Sequence, residues 1–266
     1  MNGKKRTYLK HILIIIIIVC LVPIGYAYYA SRQNQANQEH LKAMVDTSGE
    51  QNPVDMQGTQ TQETTEAALP EETHGILSKY KKLHEENNDF AGWLSIKDMV
   101  IDYPVMQCED DEYYLHHDFY GKDSKYGCLY VRQQADLDNG TNFIIYGHNM
   151  KDGSMFGDLD LYLDESFYKK HSIISFDTLY EERKYDIIAV FRSQVYKSDE
   201  DVFKYYRFYN AETEEEFGDF YQNIKKLSLY DTGVEAEFGD TFLTLSTCSY
   251  HVEDGRLVVV AKRRND

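Results

Sequence analysis

Thr244-Leu245-Ser246-Thr247-Cys248 (TLSTC) continues an apolar alternation through Phe242, Leu243 and Leu245, and that pattern reads as a β-strand ending on a thiol. Eight residues after Cys248, Arg256 opens a second apolar run, Leu257 to Ala261. About a hundred residues upstream, Asn142 to His148 (NFIIYGH) carries a third such strand, ending on a histidine. A thiol, an imidazole and a guanidinium are thus each placed at a strand end, and strand ends can converge at one end of a small barrel.

Working outward, further strands are expected at Gly92–Ile96, Val100–Met106, Gly127–Arg132, Ser172–Asp177 and Lys184–Val195. With Asn142–Gly147, Thr241–Thr247 and Arg256–Lys262 they make eight short strands separated by polar turns, the pattern of an all-β fold closed into an eight-stranded barrel. Ser78 to Asn87 reads as a short amphipathic helix leading into it. A helical insertion is expected around Ser154 to Lys170. A longer helix is expected from Thr213 to Leu227, just before the cysteine strand. Thr213 and Glu216 form a capping box there, acidic residues fill the first turn, and Phe217, Phe220, Tyr221, Ile224 and Leu227 repeat at i, i+3, i+4.

The N-terminal part has a different composition. Residues 1–11 are a basic leader with Lys4, Lys5, Arg6 and Lys10, and residues 12–30 are almost unbroken apolar sequence. About 19 residues span roughly 28 Å as a helix, enough to cross a hydrocarbon core. The excess of positive charge before the run places the N-terminus in the cytoplasm and the rest of the chain outside. A cleaved signal peptide is the alternative, with Gly25-Tyr26-Ala27 resembling a small-x-small site. Residues 31–73 are rich in Gln, Asn, Thr, Glu and Ser with isolated apolar residues, and we expect a flexible stalk. Residues 74–266 then form one domain on the extracellular side.

The chain carries 45 acidic against 28 basic residues, a net charge of −17, which argues against nucleic-acid binding. Outside the apolar run there are three cysteines, Cys108, Cys128 and Cys248, so at least one is free. Cys108 and Cys128 either pair or act as two small buried hydrophobes, and the second reading is preferred. No Cys/His cluster has metal-ligand spacing, and no Gly-rich phosphate loop is present, so neither metal nor cofactor is expected.

Nucleophile, proton shuttle and oxyanion partner suffice for acyl transfer through a thioester, and Cys248, His148 and Arg256 supply one of each. Taken singly, each has a plainer reading: a core cysteine, a strand-end histidine, a surface ion-pair arginine. Their joint occurrence favours catalysis. Ser246, on the same strand face as Cys248, is a candidate contact for Arg256 or substrate. The backbone N–H of Ser249 is a candidate second oxyanion donor, and Tyr250 a candidate border of the substrate groove. His251 reads as an exposed loop residue, and the loop Lys197 to Tyr209 as one wall of the groove.

The TLSTC run, the later arginine strand and the segment IIYGHNM resemble a sortase, specifically a class B sortase, a cysteine transpeptidase of Gram-positive bacteria. The resemblance extends through NDFAGWLSI (88–96), IDYPVMQ (101–107), YYLHHDFYGKDSKYG (113–127) and GHNMKDGSMFGDL (147–159), and the helix before the cysteine strand also matches class B. It implies the sortase barrel, calcium-independent transpeptidation, and the nucleophile, histidine and arginine roles at Cys248, His148 and Arg256. It further implies a donor protein with a C-terminal sorting signal of the form Asn-Pro-x-Thr-x or an LPxTG-like one. The acceptor would be an amine of peptidoglycan or its lipid-linked precursor. Pilin polymerisation, a cell-wall cysteine hydrolase and a non-catalytic surface adhesin are the alternatives.

Overall fold

The computed structural model describes residues 3–49 and 75–265, and these divide into two compact units, Met1–Ala43 and Met44–Asp266. A single helix, α1 (Gly3–Gly49), contains the whole apolar run, with Pro23 inside it. It is long and apolar enough to cross a membrane by length and composition. The helix runs on through residues 31–49, where a flexible stalk was expected. That segment is poor in apolar residues but has neither proline nor glycine before Gly49, and its Gln, Glu, Lys, Ala, Leu and Met are good helix formers. The remaining stalk residues, 50–73, lie outside the described residues.

The second unit is the barrel. After α2 (Ser78–Glu86) come β1 (Phe90–Ser95), β2 (Asp102–Met106), α3 (Tyr113–His116), β3 (Leu129–Val131) and β4 (Asn142–Tyr146). A 3-10 turn (Gly157–Leu163) and the short α4 (Glu165–Tyr168) follow, then β5 (Ile173–Thr178) and β6 (Lys184–Gln194). The chain finishes with α5 (Glu214–Leu227), β7 (Phe242–Cys248) and β8 (Gly255–Arg263). The eight strands close in the order β1-β2-β3-β4-β7-β8-β6-β5. All eight expected strands are present. The insertion at 154–170 is mostly 3-10 turn rather than one helix, because Gly157 sits against the Met150 carbonyl and Asp164 caps a new helix by accepting from the Ser166 N–H at 2.8 Å.

β4 and β7 are parallel neighbours, with Tyr146 paired to Ser246, and β7 and β8 are antiparallel, with Cys248 paired to Arg256. Successive residues alternate faces, so Phe242, Thr244, Ser246 and Cys248 share one face with Ile144 and Tyr146 of β4 and with Arg256, Val258 and Val260 of β8. The opposite face, with Leu243, Leu245, Val259 and Ala261, is fully buried in the barrel.

α5 covers the apolar part of the first face. Phe217, Phe220 and Ile224 of its predicted stripe pack with Phe242, Ile144, Val258 and Val260, and Tyr221 is partly buried against them, whereas Leu227, at the end of the helix, is exposed. Its N-terminus is capped as expected, Thr213 Oγ1 accepting from the Glu216 N–H at 3.2 Å, while Glu216 reaches back to the Glu212 N–H at 2.8 Å. The face therefore changes along its length, from apolar residues under α5, through hydroxyl-bearing ones, to Cys248 and Arg256 at the open end.

Candidate active site

Parallel pairing sets the first part of the geometry. Because β4 and β7 run together in register to Tyr146 and Ser246, residues two steps beyond each, His148 and Cys248, leave the barrel at the same end. Antiparallel pairing sets the second part: Arg256 stands directly across from Cys248 on the far side of β7. Cys248 is flanked by His148 on one side and Arg256 on the other, and it is exposed. The structure thus brings together all three residues singled out from sequence.

Backbone contacts fix the imidazole. His148 Nε2 lies 2.8 Å from the carbonyl oxygen of Leu115 in α3. A carbonyl only accepts, so Nε2 carries the proton and, in the neutral ring, Nδ1 is the bare nitrogen. Gly127 has φ of +58°, and a Cβ there would stand 2.8 Å from the Leu115 oxygen and 2.5 Å from that of Tyr114. The carbonyl that holds the histidine is itself packed against a residue that has to be glycine. Gly147 gives the histidine a second support, since a Cβ there would meet Leu129 at 2.4 Å and Phe156 at 2.8 Å.

The guanidinium is held by its own turn. Arg256 Nη1 donates to the carbonyls of Asp254 at 3.1 Å and Gly255 at 2.9 Å. Its Nη2 and Nε have no hydrogen-bond partner among the described residues, leaving donors for a ligand. Tyr130, on β3 beside Tyr146, has its phenol pushed up, chiefly by burial; Arg132 and Arg256 favour its ionised form and Cys248 opposes it, so Tyr130 lies within electrostatic reach of both site residues.

Among the described residues Ser246 makes no hydrogen bond to Arg256. Its hydroxyl is buried and shares a 2.8 Å hydrogen bond with the Tyr205 hydroxyl, from the loop that covers this face. Period two placed it correctly, but a loop residue claims it. Ser249 is also buried. Its N–H donates to the Gly255 carbonyl at 2.8 Å and its hydroxyl lies 3.0 Å from His251 Nδ1. The N–H expected as a second oxyanion donor is therefore engaged in closing the β7–β8 turn. Tyr250 projects from that turn, 78% exposed, beside the site. Tyr205, the Leu115 carbonyl and Asn149, which bonds to the Cys248 carbonyl at 2.9 Å, were not picked out from sequence. The only signal was the position of Asn149 next to His148.

Cys108 and Cys128 are both free thiols, as the preferred reading has it, but only Cys128 is buried as expected and Cys108 is half-buried. Burial pushes both thiols up. Among the described residues no group of three or more His, Cys, Asp or Glu side chains is arranged to hold a metal ion.

Comparison with known proteins places this geometry in a family. Residues 94–264 match the sortase domain. Sortase B of Listeria monocytogenes is 33% identical over 248 residues, covering 90% of this chain and 88% of that protein. Sortase B of Staphylococcus aureus is 27% identical over 259 residues, covering 96% and 95%. Among solved structures, Bacillus anthracis sortase B superposes with a TM-score of 0.70 at 29% identity, over 89% of this chain and 98% of that one. The S. aureus sortase B–substrate complex superposes at 0.71 and 26%, over 88% and 97%. The closed eight-stranded barrel, the helix ahead of it and a match spanning nearly the whole chain agree: the protein belongs to the sortase family as a class B member, a cysteine transpeptidase.

Proposed function

We propose that Cys248 is the nucleophile, His148 the proton shuttle and Arg256 the oxyanion partner of a sorting reaction. The observation that carries this reading is the placement of three chemically complementary groups on adjacent strands β4, β7 and β8 at one barrel end, with Cys248 exposed. The Cys248 thiolate attacks the carbonyl carbon before the scissile bond, and the carbonyl π electrons move to oxygen. Arg256, through Nη2 and Nε, receives that oxyanion, with the Ser249 N–H left in its turn. His148, protonated at Nδ1, gives its proton to the leaving amine as the C–N bond breaks, and the thioester forms. The bare Nδ1 then takes a proton from the incoming amine, which attacks the thioester and releases Cys248.

The donor in this reading is an exported protein with a C-terminal signal of the Asn-Pro-x-Thr-x or LPxTG-like form. The acceptor is an amine of peptidoglycan or of its lipid-linked precursor. Sortase B structures solved with a substrate, from S. aureus, and with Gly3 support peptide ligands for a barrel of this kind. Residues 12–30 of α1 anchor the chain in the cell membrane as a single span. The basic leader is then cytoplasmic, the catalytic domain extracellular, and residues 31–73 space it from the bilayer. The apolar length and flanking charge of α1 support this placement.

The test is mass detection of an acyl-enzyme on Cys248 after incubation with a panel of pentapeptides of both forms, followed by its decay with and without an added amine. A thioester that partitions to the amine is the expected result. Release by water alone would make the protein a hydrolase. Protease accessibility of the domain on intact cells tests the orientation.

A further inference from the structure

Asn149 follows His148, and its side chain reaches away from its own strand to the nucleophile's backbone. Nδ2 donates to the Cys248 carbonyl at 2.9 Å and to Asp160 Oδ2 at 3.2 Å. Both partners only accept, so the amide has one orientation: NH2 towards Cys248 and Asp160. Asp160 thus settles which way the Asn149 amide faces.

The Asn149 backbone is equally constrained. It pairs with Met155 in an isolated bridge, and the Phe156 N–H donates to the His148 carbonyl at 2.9 Å. Met155 is fully buried with φ of +53°, and its N–H meets the Tyr103 hydroxyl at 3.3 Å. The loop after the histidine is pinned to the barrel before Asn149 reaches out from it.

The target is the peptide unit that joins Cys248 to Ser249. Its N–H is held by the Gly255 carbonyl at 2.8 Å, and its carbonyl is held by Asn149. Both polar ends of the plane directly after the nucleophile are therefore fixed, one from the β7–β8 turn and one from the histidine loop. That plane sets the direction of the Cys248 Cα–Cβ bond, and hence where Sγ stands relative to His148 and Arg256.

We propose that Asn149, oriented by Asp160, is a positioning residue of the transpeptidation, coupling the nucleophile's peptide plane to the histidine loop. This rests on the catalytic roles proposed above. Backbone placement errors of about 1 Å cost on the order of a hundred-fold in rate, and loss of one of two restraints on the plane should cost less.

The experiment uses the full chain and three variants, Asn149→Ala, Asn149→Asp and Asp160→Asn. On the pentapeptide that acylates the wild type, Asn149→Ala is expected to lose roughly ten-fold in kcat with KM within about two-fold, since the side chain binds backbone and not substrate. Asn149→Asp, close to isosteric, should lose as much near neutral pH. A second carboxylate beside Asp160 titrates above the usual range of about 3.9, and protonated it can donate again, so its rate relative to wild type should rise towards pH 5. Asp160→Asn releases the amide orientation and should lose a smaller share. Hydrogen–deuterium exchange of the segment 247–252, read without substrate, should quicken about ten-fold in both Asn149 variants. Wild-type kcat in both of them overturns the proposal, and so does unchanged exchange. A loss confined to Asn149→Ala and matched by lost folded protein also overturns it. Absence of any thioester on the wild type would remove the catalytic reading instead, and the exchange measurement would still decide whether Asn149 holds the plane.

Discussion

Cys248 and Arg256 are directly opposed across the antiparallel β7–β8 ladder, the last residue of one strand facing the second residue of the next. Directly opposed residues project to the same face with Cβ atoms about 5 Å apart, so the six-residue turn 249–254 is enough to set thiol and guanidinium side by side. The arginine also ties itself to that turn through Nη1, which orients the fork before substrate arrives.

Replacing Cys248 by Ala is expected to abolish acyl-enzyme formation while leaving stability within about 0.5 kcal/mol, because the thiol is exposed and packs against no core. Mass spectrometry and thermal unfolding check both halves. Continued peptide cleavage by the variant would remove Cys248 from the chemistry.

Arg256→Lys keeps the charge and loses the fork. If Nη2 and Nε receive the oxyanion while Nη1 holds the turn, turnover should fall on the order of a hundred-fold, about 2.7 kcal/mol. Alkylation of Cys248 by a small reagent should change far less. Near-wild-type turnover in the lysine variant would exclude the oxyanion role.

Gly127→Ala tests the support of the histidine. A left-handed φ costs a non-glycine residue roughly 1–2 kcal/mol, and the added Cβ overlaps the Tyr114 and Leu115 carbonyls. The melting temperature should fall, and the folded fraction should turn over roughly ten-fold more slowly as the Leu115 oxygen leaves His148. Normal turnover per folded molecule, despite a lower melting temperature, would show that this carbonyl does not orient the ring.

Tyr205→Phe and Ser246→Ala each strand a buried hydroxyl and should cost about 1–2 kcal/mol. Together they should cost less than the sum, with a coupling of about 1 kcal/mol in a double-mutant cycle. Strict additivity would mean that the pair contributes nothing as a pair.

Alkaline pH should unfold the domain. Burial pushes the phenols of Tyr103 and Tyr205 up to about 12, whereas an unfolded tyrosine titrates near 10. Between those values the unfolded chain loses protons that the folded one keeps, so stability is full below pH 10 and falls as pH rises towards 12. The loss is at most roughly 3 kcal/mol for each of the two. Tyrosinate absorbance should rise together with loss of circular dichroism. Titration of Tyr205 near pH 10 in folded protein would contradict its burial.

What the sequence by itself determined was local. Alternation wrote the strands, the Thr213–Glu216 box and the 3.6-residue stripe wrote α5, and the runs GH, TLSTC and the later arginine named the three candidate site residues. Local rules erred where apolar content and helix propensity disagree. Residues 31–49 are mostly polar yet helical, with Gln38, Leu41 and Met44 buried at helical spacing, and 154–170 are apolar enough for one helix yet hold a 3-10 segment and a separate short α-helix. Only the tertiary structure decided which strands are neighbours. His148 and Cys248 leave the barrel at the same end because β4 and β7, about a hundred residues apart, run parallel in register, and no local propensity encodes a pairing partner. Likewise Ser246 went to Tyr205 and the Ser249 N–H to Gly255, while a carbonyl of Leu115 came to hold the histidine. Main-chain donors and acceptors are the same in every residue, so their partners are assigned by the fold and not by the letters of the chain.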